Sequence, residues 1–126
     1  MPATDNPFFR ILCVDDNAAL LQTLALGFRA YGFEVVTASH GIDALMQFRA
    51  HNGSFATVLS DVDMPTMNGL EFIKQVRALG YKGRVLVMSG RFSASACQAY
   101  QDLEVSGVLS KPFDISMVAT LLLQAN

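Results

Sequence analysis

Charge is scarce in this chain. Only 16% of its 126 residues are Asp, Glu, Lys or Arg, against about a quarter in ordinary domains. Hydrophobic residues reach 52%, so much of the chain is buried and intrinsic disorder is excluded. The nine basic and eleven acidic residues leave a net charge of −2, and no basic surplus exists to grip nucleic acid. Cysteine is limited to Cys13 and Cys97, without metal-ligand spacing. That excludes a disulfide scaffold and a zinc site, and both are read as reduced thiols of a cytoplasmic protein. The stretch from Met1 to Pro7 lacks a basic n-region and an apolar h-region, so no signal peptide is expected. The longest apolar run near the C-terminus, Met117 to Leu123, is too short to cross a bilayer. His40 and His51 are isolated near helix ends and read as surface residues; the six methionines read as core gap-fillers.

What is present is an alternation of short apolar runs with longer periodic stretches. Ile11-Leu12-Cys13-Val14 reads as a strand buried on both faces. It runs into Asp15-Asp16-Asn17, helix-capping residue types, and then Leu20, Leu21, Leu24, Ala25 and Phe28 at helical spacing. Further strands are expected at 33–38, 55–60, 84–88 and 108–109. Helices are expected at 42–50, after the near capping box Asn68–Glu71, at 93–103, and after Asp114. Five β-α units in this length form one domain with a parallel sheet covered on both faces. Ligands of such sheets bind at the carboxyl ends of the strands.

Polar residues follow four of the five predicted strands. Asp15 and Asp16 end the first, Asp61 the third, Ser89-Gly90 the fourth and Lys111-Pro112 the fifth. Crowded carboxylates repel unless a proton or a cation sits among them. Oxygen ligands without histidine or thiolate suit a hard cation such as Mg²⁺. Phosphoryl transfer asks for positioning and charge neutralisation, which a metal on one side and Lys111 on the other would supply. A Ser89 hydroxyl could donate to a third oxygen, and Gly90 lets the backbone approach closely.

Asp15-Asp16, Asp61-Val62-Asp63-Met64-Pro65-Thr66-Met67-Asn68-Gly69, Val85-Leu86-Val87-Met88-Ser89-Gly90 and Lys111-Pro112-Phe113 together resemble the receiver signature of two-component response regulators. The resemblance implies a (βα)5 flavodoxin-like, doubly wound fold with a five-stranded parallel sheet in the order 2-1-3-4-5. It implies a receiver domain over 10–124 behind an N-terminal extension, 1–9. By the same resemblance Asp61 is the phosphoacceptor. Asp16 and Asp61 would ligate Mg²⁺ through carboxylates, Asp63 through its backbone carbonyl and Asp15 through water. Ser89, Gly90 and Lys111 would contact the phosphate. The donor would be a sensor histidine kinase or histidine phosphotransfer protein. The output partner is not encoded, direct contact with nucleic acid or membrane is not expected, and a homodimer would use the last two helices and the last strand. Such a chain is a phosphoryl acceptor, not a turnover enzyme.

The chain departs from the pattern at Val108, where many receivers carry Tyr or Phe. A valine cannot make that ring's large rotation, so the usual coupling to the hydroxyl residue is absent; Phe92 and Tyr100 are candidate substitutes. Asp63 and Arg91 flank the phosphate in the family and are both charged here. Two other readings remain. Asp61-Val62-Asp63 also looks like the Asp-x-Asp motif of haloacid-dehalogenase-like phosphatases, although about sixty residues precede it and Pro65 stands where Thr or Val is usual. A degenerate receiver used only for docking is the other.

Overall fold

The computed structural model describes residues 9–62, 69–89, 101–111 and 113–124. These hold β1 (Arg10–Val14), α1 (Ala18–Ala30), β2 (Glu34–Ala38), α2 (Gly41–Ala50) and β3 (Thr57–Asp61). α3 (Gly69–Ala78), β4 (Arg84–Ser89), β5 (Gly107–Ser110) and α4 (Ile115–Gln124) follow. The helix expected over 93–103 falls mostly outside the described residues. All strand pairs are parallel, in the order β2-β1-β3-β4-β5. This is the flavodoxin-like arrangement, with the order reversing beside β1 and β3.

The apolar run of β1 divides between two cores because successive strand side chains point to opposite faces. Leu12 and Val14 join Val58 and Val85 beneath α2 and α3, where Phe48, Phe72, Ile73 and Val76 pack. Ile11 and Cys13 join Leu59 and Met88 beneath α1 and α4, where Leu24, Phe28, Val118 and Ala119 pack. Burial pushes the Cys13 thiol up to about 12, against a smaller opposing effect of Arg29. Reactivity belongs to the thiolate. Cys13 is therefore expected to resist iodoacetamide at pH 8 in the native protein and to react in urea, as peptide mass spectrometry would read.

Several boundaries differ from those expected. Phe33 and Phe55 precede β2 and β3 instead of opening them. Each belongs to an aromatic cluster: Phe33 lies edge-on to Phe28 at 6.0 Å, and Phe55 stacks on Phe48 at 6.1 Å. The two histidines are half-buried. His40 caps α2, its Nδ1 accepting the Asp43 N–H at 3.1 Å. His51 lies against Phe55 at 5.2 Å.

Arg77, near the end of α3, ties the far end of the sheet together. Its guanidinium donates to the carbonyls of Leu103 (3.0 Å), Glu104 (2.9 Å), Tyr81 (2.9 Å) and Gly83 (3.0 Å). It also lies 5.6 Å from the centre of the Tyr81 ring. Only a planar fork with several N–H groups reaches so many acceptors at once. Arg77→Ala should lose about 2–3 kcal/mol in urea unfolding, and Arg77→Lys should recover little of it. A loss below 1 kcal/mol for the alanine variant would show these bonds to be replaceable by water.

β5 is a sheet edge, and Val108 on it is exposed. α4 contains no charged residue, and Met117 and Leu121 on it are exposed. A homodimer through the last two helices and the last strand, as expected from the sequence, would include these residues; the other helix lies mostly outside the described residues. Among the described residues no helix is long and apolar enough to cross a membrane.

Candidate functional site

The carboxyl ends of β1 and β3 are neighbours in the sheet, which brings their terminal residues to one rim. Asp15 follows β1 directly. Its N–H donates to the Ala38 carbonyl at 3.1 Å and so extends the ladder to β2 by one residue. Its side chain is fully buried, and both carboxylate oxygens are engaged. Oδ1 accepts the Asn17 N–H at 2.9 Å and Oδ2 accepts from Lys111 Nζ at 2.7 Å. Asn17 in turn caps α1, its Oδ1 accepting the Leu20 N–H at 3.1 Å. Of the three expected capping residues, Asn17 holds the helix; Asp15 faces the rim and Asp16 is exposed.

Asp61 is the last residue of β3, paired in register with Met88 and almost wholly buried. Lys111 Nζ lies 3.2 Å from its Oδ1. Ligand oxygens of Asp15, Asp16 and Asp61 all lie within 4.8 Å of one another. Lys111 follows β5, and its N–H donates to the Ser89 carbonyl at 2.9 Å. Ser89 ends β4 and is buried. Burial opposes the charge of Lys111, but hydrogen bonding and attraction to Asp15 and then Asp61 outweigh it. Its ammonium is held above the usual lysine value.

The structure thus brings Asp15, Asp16, Asp61 and Lys111 into one cluster, with Ser89 bonded to Lys111 through its backbone. Val108 stands three residues before Lys111 and is exposed. Asp63, Gly90, Arg91, Phe92 and Tyr100 lie outside the described residues. The donor set suits a small hard cation: oxygens only, three carboxylates, one of them open to solvent. An ammonium already shared by two aspartates also leaves a cation-lined place for an anion's oxygens.

One contact was not foreseen from the sequence. Ser60, fully buried, donates its hydroxyl to the Asp61 carbonyl at 3.0 Å. A lone serine in a strand gives no signal of such a bond. Beside the cluster, Leu20, Leu24, Phe113, Ile115 and Lys111 help line an apolar groove of about 410 Å³.

The family model for the response regulator receiver domain matches residues 11–122. The chain is 38% identical over 104 residues to the response regulator MprA of Mycobacterium sp. (strain KMS), covering 82% of this chain and 44% of that protein. It is 36% identical over 104 residues to the transcriptional regulatory protein PrrA of Mycobacterium tuberculosis, with the same coverage of 82% and 44%. The chain therefore spans less than half the length of these relatives. Among solved structures, chemotaxis protein CheY4 of Vibrio cholerae superposes with a TM-score of 0.84 at 29% identity, covering 93% of this chain and 98% of that one. The CheY of a CheX–CheY–BeF3–Mg complex from Borrelia burgdorferi shares the fold at a TM-score of 0.84 and 22% identity, covering 94% and 90%.

Proposed function

This chain belongs to the response regulator receiver domain family, and we propose that Asp61 is its phosphoacceptor. The observation that carries this reading is the placement of Lys111 Nζ between two buried aspartates, 2.7 Å from Asp15 and 3.2 Å from Asp61. Receiver domains are signalling domains, not turnover enzymes, and family membership removes the haloacid-dehalogenase-like alternative.

In the proposed reaction an Asp61 carboxylate oxygen attacks the phosphorus of a phosphohistidine on a sensor kinase or phosphotransfer protein. The O–P bond forms as the P–N bond breaks, and the imidazole leaves with the electron pair. Asp61 becomes a mixed anhydride, an aspartyl phosphate. Lys111 releases Asp61 and pairs with a phosphoryl oxygen, while its contact with Asp15 keeps the ammonium at the rim. The Ser89 hydroxyl, and the backbone at Gly90, complete the phosphate's contacts.

Mg²⁺ would be held by the carboxylates of Asp16 and Asp61 and the carbonyl of Asp63, and it would supply charge neutralisation for the phosphoryl oxygens. The full engagement of Asp15 with Asn17 and Lys111 fits a role for it through water. The magnesium-bound complex of the Borrelia relative supports the choice of ion. The setting we assign is the cytoplasm. Phosphorylation then shifts a two-state equilibrium of the segment after Ser89, without an aromatic at Val108.

The test is mass spectrometry after incubation with acetyl phosphate and Mg²⁺. One adduct of about 80 Da is expected on the wild-type chain, the mass of a phosphoryl group, and none on Asp61→Asn. An adduct that persists in that variant removes Asp61 from the role.

A further inference from the structure

The backbone of the proposed phosphoacceptor is confined from two sides by groups outside the charged cluster. Ser60 Oγ donates to the Asp61 carbonyl at 3.0 Å. From the other side comes Gly69, the first residue of α3. A Cβ built on it would lie 2.1 Å from the Asp61 carbonyl oxygen, 2.7 Å from Val62 Cα and 2.9 Å from the Asp61 carbonyl carbon. The Gly69 N–H donates to the Val62 carbonyl at 3.2 Å, and the Val62 N–H to the Met88 carbonyl at 3.2 Å. The start of α3 is thus pressed onto the end of β3.

Neither partner can retreat. α3 is anchored by Phe72, Ile73 and Val76, all fully buried. β3 is pinned between β1 and β4. A methyl group on residue 69 needs about 1 Å more room than it would have. The strain falls on the Asp61 peptide and moves its carboxylate relative to Asp15 and Lys111.

We propose that Ser60 and Gly69 are positioning residues for Asp61, fixing its peptide so that its carboxylate meets the shared cation and ammonium. This rests on the phosphoacceptor reading above. Site geometry must hold to roughly 0.5 Å, and a misplacement of about 1 Å can cost on the order of a hundredfold in rate. Gly69→Ala should therefore slow acetyl-phosphate labelling of Asp61 by about 10- to 100-fold. It should also weaken Mg²⁺ binding and shift the ¹³Cγ resonance of Asp61 in the metal-free protein. Ser60→Ala should act in the same direction by a few-fold, and Ser60→Thr, which keeps the hydroxyl, should recover the rate.

Gly83→Ala supplies the control. Its Cβ would lie 2.2 Å from the Tyr81 hydroxyl oxygen, at the opposite end of the sheet. It should lose stability and keep wild-type Mg²⁺ affinity and labelling. All measurements are made at 10 °C on samples shown to be folded by NMR. If Gly69→Ala fails to fold, Ser60→Ala and Ser60→Thr decide. Wild-type affinity, labelling rate and Asp61 resonance in the folded Gly69 variant overturn the proposal, as do unchanged values in Ser60→Ala when only the serine pair can be measured. A wild-type chain that takes neither Mg²⁺ nor a phosphoryl group overturns the functional reading and this proposal with it.

Discussion

Lys111→Met should destabilise the metal-free protein by about 2–4 kcal/mol in urea unfolding with EDTA present. Asp15 is fully buried and Asp61 nearly so. Both face the Lys111 ammonium, at 2.7 and 3.2 Å. Removing it leaves two like charges out of water without the ammonium they share. Loss of one partner of a buried ion pair costs about 3–5 kcal/mol. The range is lowered here because a quarter of the Lys111 side chain is exposed, so water can partly replace it. Adding Asp15→Asn to Lys111→Met should return part of the loss, since it removes one of the stranded charges. Millimolar Mg²⁺ should do the same by another route. A loss under 1 kcal/mol for the single variant would mean that the aspartates are not held by this ammonium.

The same pair fixes a pH dependence. The Lys111 ammonium is held above its ordinary value of 10.5 in the folded state. A raised lysine value means that the folded state binds the proton more tightly. Its stabilisation is complete below the unfolded value and disappears as pH rises through the folded one. The stability gap between wild type and Lys111→Met should therefore be flat through neutral pH and close only above about pH 10.5. A gap that closes between pH 6 and 8 would assign it to another group.

Phe72→Ala should cost about 3–5 kcal/mol, a large share of the 5–15 kcal/mol typical of a domain. The ring is fully buried beneath α3, among Val58, Val85 and Ile73 in the core that also receives Leu12 and Val14. Such a cavity is flanked by a sheet and a helix that cannot close over it without moving. Phe28→Ala, on the α1 side, should cost a similar amount because that ring is equally buried. The two differ in what they disturb. Phe72 anchors the helix whose first residue presses on Asp61, so its loss should also weaken Mg²⁺ binding in whatever fraction stays folded. Phe28 has no such connection and should leave that affinity unchanged. Equal Mg²⁺ affinities for the two folded variants would cut the link between α3 anchoring and the rim.

Much of this architecture is legible in the sequence because it rests on local signals. Four polar residues at the ends of apolar runs, Asp15, Asp61, Ser89 and Lys111, announce a rim. The parallel sheet then makes them neighbours. The features that escaped sequence reading depend on geometry between distant segments. Nothing in the sequence around Arg77 signals that it bonds to carbonyls 26 and 27 positions away. Ser60 reads as an ordinary strand residue. Gly69 reads as part of a turn, and nothing in its neighbours reveals that the Asp61 carbonyl fills the space where its side chain would be. His40 and His51 read as surface residues because capping depends on where helices start and stop to within one residue. Phe33 and Phe55 adjoin the apolar runs of β2 and β3 in the sequence, and only the structure shows that they pack against other rings.

The Lys111–Asp15 contact joins residues 96 positions apart, and β5 joins the sheet only by pairing with β4. No stretch of the chain shorter than this can assemble the rim, and a nascent chain still in the ribosome tunnel at residue 100 lacks its ammonium altogether. The loop that must close is among the longest the chain can make. Assembly of the rim is thereby bound to completion of the fold: a half-made copy holds the two aspartates without the ammonium that joins them.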